Sequence, residues 1–297
     1  MFTILAVPKP FKGHIATIQR NAIRSWLALR PQPQVILFAD EEGTAETAAE
    51  MGVQHIPGVM RNDHRTPLMD GVIQEGRRLS QRPLLCYINA DIILTSEFTR
   101  AMETVSDKLE KFLAVSKRIN IDIRQPLTFE GNWEANLEIE VKKHGVMATT
   151  AFIDVFVFPK SCYRNVPAFA IGRPWFDHWF IKSARKSGIP VVELTAVAPL
   201  IHQNHDYGHV AGGTEAIWRS EETQKNLELY GKIIHDYTLE DVTHELRGDG
   251  SIVTKKITGA PFSIREALWQ LLVVKTFPLR KRLGLSGIRT NRTTPNS

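Results

Sequence analysis

Three short stretches hold residues whose types and spacing fit chemistry. Asn89-Ala90-Asp91 lies within Pro83 to Leu94, PLLCYINADIIL, where most other side chains are apolar. A carboxylate among Tyr87, Ile88, Ile92, Ile93 and Leu94 must be paired or bind a cation, because it has lost its hydration. The plainer reading is a surface Asp that begins a turn. Ile201 to His209, IHQNHDYGH, brings three of the ten histidines within eight residues. Imidazole is a common ligand of divalent metals, and a carboxylate completes such a site. The spacing fits no HExxH pattern, so alone the cluster reads as a loop of solvated or capping histidines. Combined with Asp91, it reads as a mixed carboxylate/imidazole site for Mn²⁺ or Mg²⁺. Ile171 to Trp179, IGRPWFDHW, sets Pro174 at a helix start and so Asp177 in the first turn. The helix dipole alone would stabilise that carboxylate. Facing a pocket instead, Asp177 would act as a general base toward a hydroxyl, or bind it.

These residues need elements to position them. Thr3 to Val7 reads as a strand, Ile15 to Leu29 as a helix with apolar residues at helical spacing, and Gln34 to Ala39 as a second strand ending at Asp40. Thr44 to Met51 is a helix stopped by Gly52, Val53 to Val59 a third strand, and Pro67 to Leu79 a helix with proline in its first turn. Pro83 to Leu94 is a fourth strand, nearly continuously apolar as buried parallel strands are. Glu97 to Lys111 is helical and Leu113 to Val115 a strand. Four strand–helix alternations in roughly 115 residues predict a parallel sheet covered by helices. Beyond them come a helix at Gly131 to Lys143, a strand at Ala151 to Phe158, a helix at Trp175 to Lys186, one or two short strands in Val191 to Ile201, and a polar helix at Thr214 to Tyr230. A strand end is where open α/β sheets bind ligands, which is where Asp91 falls.

Composition narrows the class. The chain has 297 residues, 37 Lys+Arg against 32 Asp+Glu, and two cysteines, Cys86 and Cys162. That excludes a disulfide scaffold and a disordered or low-complexity chain. The basic residues are spread rather than concentrated on one element, which argues against nucleic acid as a partner; a net charge of +5 suits a small anionic ligand. Neither GxGxxG after strand one nor GxxxxGK[ST] is present, so the common dinucleotide and P-loop patterns are missing. Free cysteines and the lack of a signal-type start predict a cytoplasmic protein. Ser263 to Leu285 pairs a capping-box start with a broad apolar face and ends in the basic run Lys275 to Arg282. It reads as a helix docked on the core or as a peripheral contact with the inner face of a membrane. Arg289 to Ser297 is a polar, frayed end.

The βα alternation, Asn89-Ala90-Asp91 in the place of a DxD motif, Asp177 opening a later helix, and a histidine past a following strand together resemble the GT-A glycosyltransferases, the nucleotide-diphospho-sugar transferase family. The resemblance runs from about Phe2 to Gly213. It implies an α/β, Rossmann-like three-layer sandwich with a mostly parallel central sheet, a transferase core over residues 1–213 and a C-terminal helical extension over 214–297. It implies a sugar moved from a nucleotide diphosphate donor to a hydroxyl of a glycan, glycolipid or small molecule, with a divalent metal. Asp91 would bind the metal with His202, or with His205 as second choice. Asn89 departs from the family's first Asp, though it can still hydrogen-bond a ribose or a metal-bound water. On the donor side the resemblance points to Pro8, to Asp40 as the base-binding carboxylate, and to Arg65, Thr66 and Asp70 near ribose and diphosphate. Arg61 and Arg118 are candidate phosphate clamps, with a solvated surface arginine as the plainer reading of Arg61. Asp154, a charge within AFIDVFVF, would touch the donor sugar or order the pocket, or else form an internal ion pair. Trp175 would stack on an acceptor sugar face, or pack in the core. Two other readings are a sugar nucleotidyltransferase, for which Pro8 to Gly13 lacks the glycine-rich loop, and an inert sugar- or nucleotide-binding protein, which Asn89 would suit.

Overall fold

A computed structural model of the chain describes residues 1–205, 213–231 and 236–255. Met1–Gly231 and Tyr237–Ile257 form one compact unit; a second, Lys232–Asp236 with Thr258–Ser297, lies outside the described residues but for Asp236. The helix expected over Ser263 to Leu285, the basic run, the polar end and His209 therefore fall outside them. Among the described residues, no helix is long and apolar enough to cross a membrane.

The elements run β1 Phe2–Ala6, α1 Gly13–Ala28, β2 Gln34–Phe38, α2 Thr44–Met51, β3 Gln54–Ile56, α3 Met69–Leu79, β4 Leu84–Ile88, β5 Ile92–Ile93, α4 Ser96–Lys108, β6 Leu113–Val115 and β7 Arg118–Ile121. They continue with α5 Trp133–His144, β8 Val146–Met147, β9 Val155–Pro159, α6 Phe176–Lys186, β10 Val191–Glu193, β11 Leu200–Gln203, α7 Gly213–Arg219, α8 Glu221–Tyr230, β12 His244–Leu246 and β13 Ile252–Thr254. Nine strands form the main sheet in the order β13-β12-β10-β6-β9-β4-β1-β2-β3. It is mostly parallel; β9 runs antiparallel to both β4 and β6, and β13 antiparallel to β12.

Period-2 alternation builds the layers. Phe2, Ile4 and Ala6 of β1 pack with Ala22, Ile23 and Trp26 of α1, Ala48 of α2, and Phe98 and Met102 of α4. The opposite face carries Leu5, Tyr87, Phe156 and Phe158, which meet α3 and α6. Phe180 stacks on Phe156 at a 4.5 Å ring separation. Gly76 brings α3 close to β1, since a Cβ there would lie 2.4 Å from Leu5 Cδ1. Apolar surface on both faces explains why these strands read as unbroken hydrophobic runs. The structure is thus α/β with helices on both faces of a mostly parallel sheet.

Several expectations are corrected. The run Pro83 to Leu94 is not one strand: β4 ends at Ile88, and after Asn89–Asp91 the chain enters β5 of a second, four-stranded sheet, β5-β11-β7-β8. Pro67 does not open α3; it pairs with Arg61 in an isolated bridge, and the helix begins at Met69. The Ala151 to Phe158 strand starts at Val155. Thr214 to Tyr230 is two helices, because Ser220 leaves the helix and caps α8, its Oγ accepting the Thr223 N–H at 3.1 Å. β7, β8, β12 and β13, two to four residues each, are too short to stand out in sequence. The residues past 213 are not a helical appendage alone: β12 and β13 extend the main sheet beside β10.

Candidate active site

The parallel strands β1, β2 and β4 end at one edge of the main sheet, and the antiparallel β9 begins there. That edge collects Pro8 and Lys9, Asp40, Asn89–Asp91 and Asp154. The second sheet sets the remaining distances. β5 pairs antiparallel with β11, with His202 opposite Ile92, the residue after Asp91. Gln203 fixes this join. Its backbone N–H and its Nε2 both donate to the Asp91 carbonyl at 3.2 Å, and Nε2 also donates to the Ile18 carbonyl at 2.8 Å. Asn21 of α1 donates to Gln203 Oε1 at 3.0 Å. Gln203 and Asn21 are buried with these partners, as buried amides must be.

Asp91, His202 and His205 converge, and their ligand atoms all lie within 4.8 Å of one another. His205 Nε2 is 3.0 Å from Asp91 Oδ2, and His202 Nε2 is 3.8 Å from the same oxygen. The three side chains are 13%, 9% and 5% exposed for Asp91, His202 and His205. Lys9 Nζ stands 3.2 Å from the same His205 Nε2. One imidazole nitrogen cannot serve both neighbours: with its proton it donates to Asp91, and without it it accepts from Lys9 while its lone pair faces a carboxylate. A divalent cation among the three ligand atoms would take the Nε2 lone pair and offset the Asp91 charge, leaving the Lys9 ammonium to other acceptors.

Two further features favour a cation. Asp91 Oδ1 and His202 Nδ1 are buried with no hydrogen-bond partner among the described residues. Burial by itself would raise the Asp91 carboxyl, yet the His205 hydrogen bond and the nearby His202 and Lys9 charges hold it well below the usual carboxylate range. Burial is also the main effect on His202, which is pushed down to about 4 despite the Asp91 charge. At neutral pH, then, Asp91 is anionic and His202 neutral, the protonation states that metal ligation needs. Lys9 was not singled out in the sequence. Its ammonium is pushed down by burial, partly offset by the charges of Asp91 and Asp154.

Asp154 sits 5% exposed beside this group. Arg118 Nη1 donates to both of its oxygens at 3.0 and 3.1 Å, and Asn89 Nδ2 donates to Oδ1 at 2.8 Å. Arg118 also lies over the Phe152 ring at 4.2 Å. The internal ion pair is therefore the arrangement found, and Arg118, expected as a phosphate clamp, is engaged by a carboxylate. Asn89 has a partner too: its backbone N–H bonds the Asp154 carbonyl at 3.1 Å. The three residues brace the turn that presents Asp91.

On the β2 side, Arg61 forms a short ion pair with Asp40 and reaches Glu41 at 3.4 Å. It also donates to the Arg65 carbonyl. Ala39 and Arg65 hold positive φ, 75° and 63°, conformations uncommon without glycine. Asn62 Oδ1 accepts from the N–H groups of His64 and Thr66, closing the 61–66 loop. Asp70 accepts from the N–H of Gly71 at 2.8 Å in the first turn of α3. Pro8 is buried where β1 leaves the sheet.

Asp177 occupies the first turn of α6, and its Oδ1 accepts the His178 N–H at 3.0 Å. Burial, helped by the charges of Asp91, Asp177 and Asp154, raises the Tyr87 phenol. Trp175 adopts φ +88°, with its ring near His178, Trp218 and Tyr230. Aromatic packing is thus realised for it, and the strained backbone turns the chain into α6. The loop before α6 is held by α8. Asn226, fully buried, accepts from Ala170 N at 2.8 Å and donates to the carbonyls of Ala170 and Pro174. Glu222 ties Arg173 to Asn62 at 2.8 and 2.7 Å. Sequence reasoning saw only a polar helix there, because nothing local shows which polar side chains face inward.

No family profile matches the sequence, and no curated protein matches it. Several solved structures show partial similarity to it. Glucosyl-3-phosphoglycerate synthase from Mycobacterium tuberculosis, in complex with Mn²⁺, uridine diphosphate and phosphoglyceric acid, is 14% identical at a TM-score of 0.48, with 78% of each chain covered. A Desulfovibrio desulfuricans protein described as a nucleotide-diphospho-sugar transferase is 12% identical at 0.43, covering 77% of this chain and 96% of that one. The mannosyltransferase PcManGT from Pyrobaculum calidifontis, in complex with GDP-Man and Mn²⁺, is 12% identical at 0.44, covering 70% and 58%.

Proposed function

We propose that this chain is a glycosyltransferase that moves a sugar from a nucleotide diphosphate donor to an acceptor hydroxyl, using a divalent metal. One observation carries the reading: a buried carboxylate and two imidazoles converge at the ligand-binding edge of a parallel sheet, their ligand atoms within 4.8 Å of one another. Asp91, His202 and His205 would hold the ion. Two imidazoles beside one carboxylate suit Mn²⁺ better than Mg²⁺, which prefers oxygen ligands. Bound there, the ion supplies positive charge to a departing diphosphate.

The chain's own groups do the rest. Lys9 adds a cation beside His205 for the same phosphates. Asp40, exposed at the end of β2, faces the nucleoside end, with Arg61, Arg65 and Thr66 on the loop that follows β3. Asp154, fixed by Arg118 and Asn89, keeps the Asn89–Asp91 turn in place rather than taking a proton. Asp177, in the first turn of α6, orients the acceptor hydroxyl and removes its proton.

Calorimetric titration with UDP and with GDP, each with and without Mn²⁺, tests the reading. At least one nucleotide is expected to bind, at least tenfold more tightly with the metal; no binding of either would sink it. Asp177→Asn is expected to leave that affinity within twofold while lowering turnover by ~10² or more, the scale of general-base catalysis. An equal loss of donor affinity would remove Asp177 from the acceptor side.

A further inference from the structure

A cavity of about 780 Å³ opens between α5 and the 121–130 loop, a size typical of small-molecule sites. It is separate from the donor edge but built on the same strands. Asn120, in its wall, is the register partner of His202 on β11 and of Val146 on β8. Asn204, also in the wall, precedes His205. One strand spacing, about 4.8 Å, thus separates the cavity wall from the metal-binding group.

The lining is particular. Leu127, Leu137, Val146 and the ring of Trp133 give it an apolar side; Phe129 meets Trp133 edge-on at 4.8 Å and fixes the ring. The lining also holds Asp122, Glu130 and Glu140 with several amides, against the Arg124 guanidinium and the His144 imidazole, which lies 3.8 Å from Glu140. Asn120 Oδ1 itself lies beneath the cavity surface, buried with no hydrogen-bond partner among the described residues. Excess carboxylate repels anions, so the cavity does not suit a phosphate. A purely apolar ligand would strand the carboxylates and amides. A neutral polyhydroxyl ring fits both sides: its C–H face lies on an aromatic ring while its hydroxyls donate to carboxylate and amide oxygens.

We infer that this cavity binds a neutral saccharide, at a site distinct from the one that holds the nucleotide and metal in the reading above.

Saturation-transfer NMR and tryptophan fluorescence with maltotriose, cellotriose and mannotriose, against glucose 6-phosphate, test the inference on the full chain without donor. At least one neutral trisaccharide is expected to bind, and glucose 6-phosphate is not. Trp133→Ala should weaken that binding at least tenfold. Asn136→Ala and Glu140→Ala, at exposed positions of α5 that the fold tolerates, should each weaken it severalfold. The inference is overturned if no neutral trisaccharide binds, if the sugar phosphate binds as well, or if all three substitutions leave binding unchanged. UDP and Mn²⁺ affinity is measured on the same samples. Its loss with saccharide binding intact would remove the transferase reading and leave the saccharide site standing.

Discussion

Asp91→Ala is expected to abolish Mn²⁺-dependent nucleotide binding and to lower turnover by about a thousandfold or more, the several kcal/mol that a catalytic metal contributes. The reason is geometric. Among the described residues Asp91 is the carboxylate in reach of both His202 and His205, so without it the group keeps only two imidazoles beside the Lys9 ammonium. The fold is expected to survive: Ala removes a buried charge, and the Asp91 backbone carbonyl still accepts from Gln203. Far-UV circular dichroism and a melting curve should match the parent while metal-dependent calorimetry goes flat. Full activity in a folded Asp91→Ala protein would strike out the site.

The second large effect concerns stability. Arg118→Ala leaves the Asp154 carboxylate buried with only Asn89 to bond it, and breaking a buried pair from one side typically costs about 3–5 kcal/mol. For a chain of this size that is a fall in Tm of ~10 °C at pH 7. The loss should depend on pH. Burial already raises Asp154 above its ordinary value and Arg118 opposes that rise, so removing Arg118 lifts the carboxyl further. A group raised on folding favours the protonated native state, so stability drains as pH climbs from about 4 toward 7 and returns on acidification. Arg118→Met combined with Asp154→Leu, which removes both charges, should recover most of the Tm. A single Arg118→Ala protein melting with the parent at pH 7 would show that the pair does not brace the Asn89–Asp91 turn.

Much of the architecture was legible in the sequence for a local reason. Strands buried on both faces must be apolar throughout, so β1, β2, β4 and β9 declared themselves, and helical periodicity marked α1, α3, α4 and α6. The position of Asp91 stood out for the same reason, since a carboxylate is conspicuous against an apolar run. What a local pattern cannot carry is pairing. The run Pro83 to Leu94 stays apolar through the point where β4 leaves one sheet and β5 joins another, because both halves are buried; hydrophobicity does not record the change of partner. Only the β5–β11 register decided that Asp91 meets His202 and His205 together, at 3.8 and 3.0 Å. It also took tertiary structure to give Asp154 to Arg118, to bring Lys9 beside His205, and to turn Asn226 inward beneath the Asp177 loop. Each of these is a contact between side chains from distant parts of the chain, and its energy depends on a distance that composition and spacing do not contain. The sequence by itself determined which side chains were able to act; the packing of two sheets decided which of them act on one another.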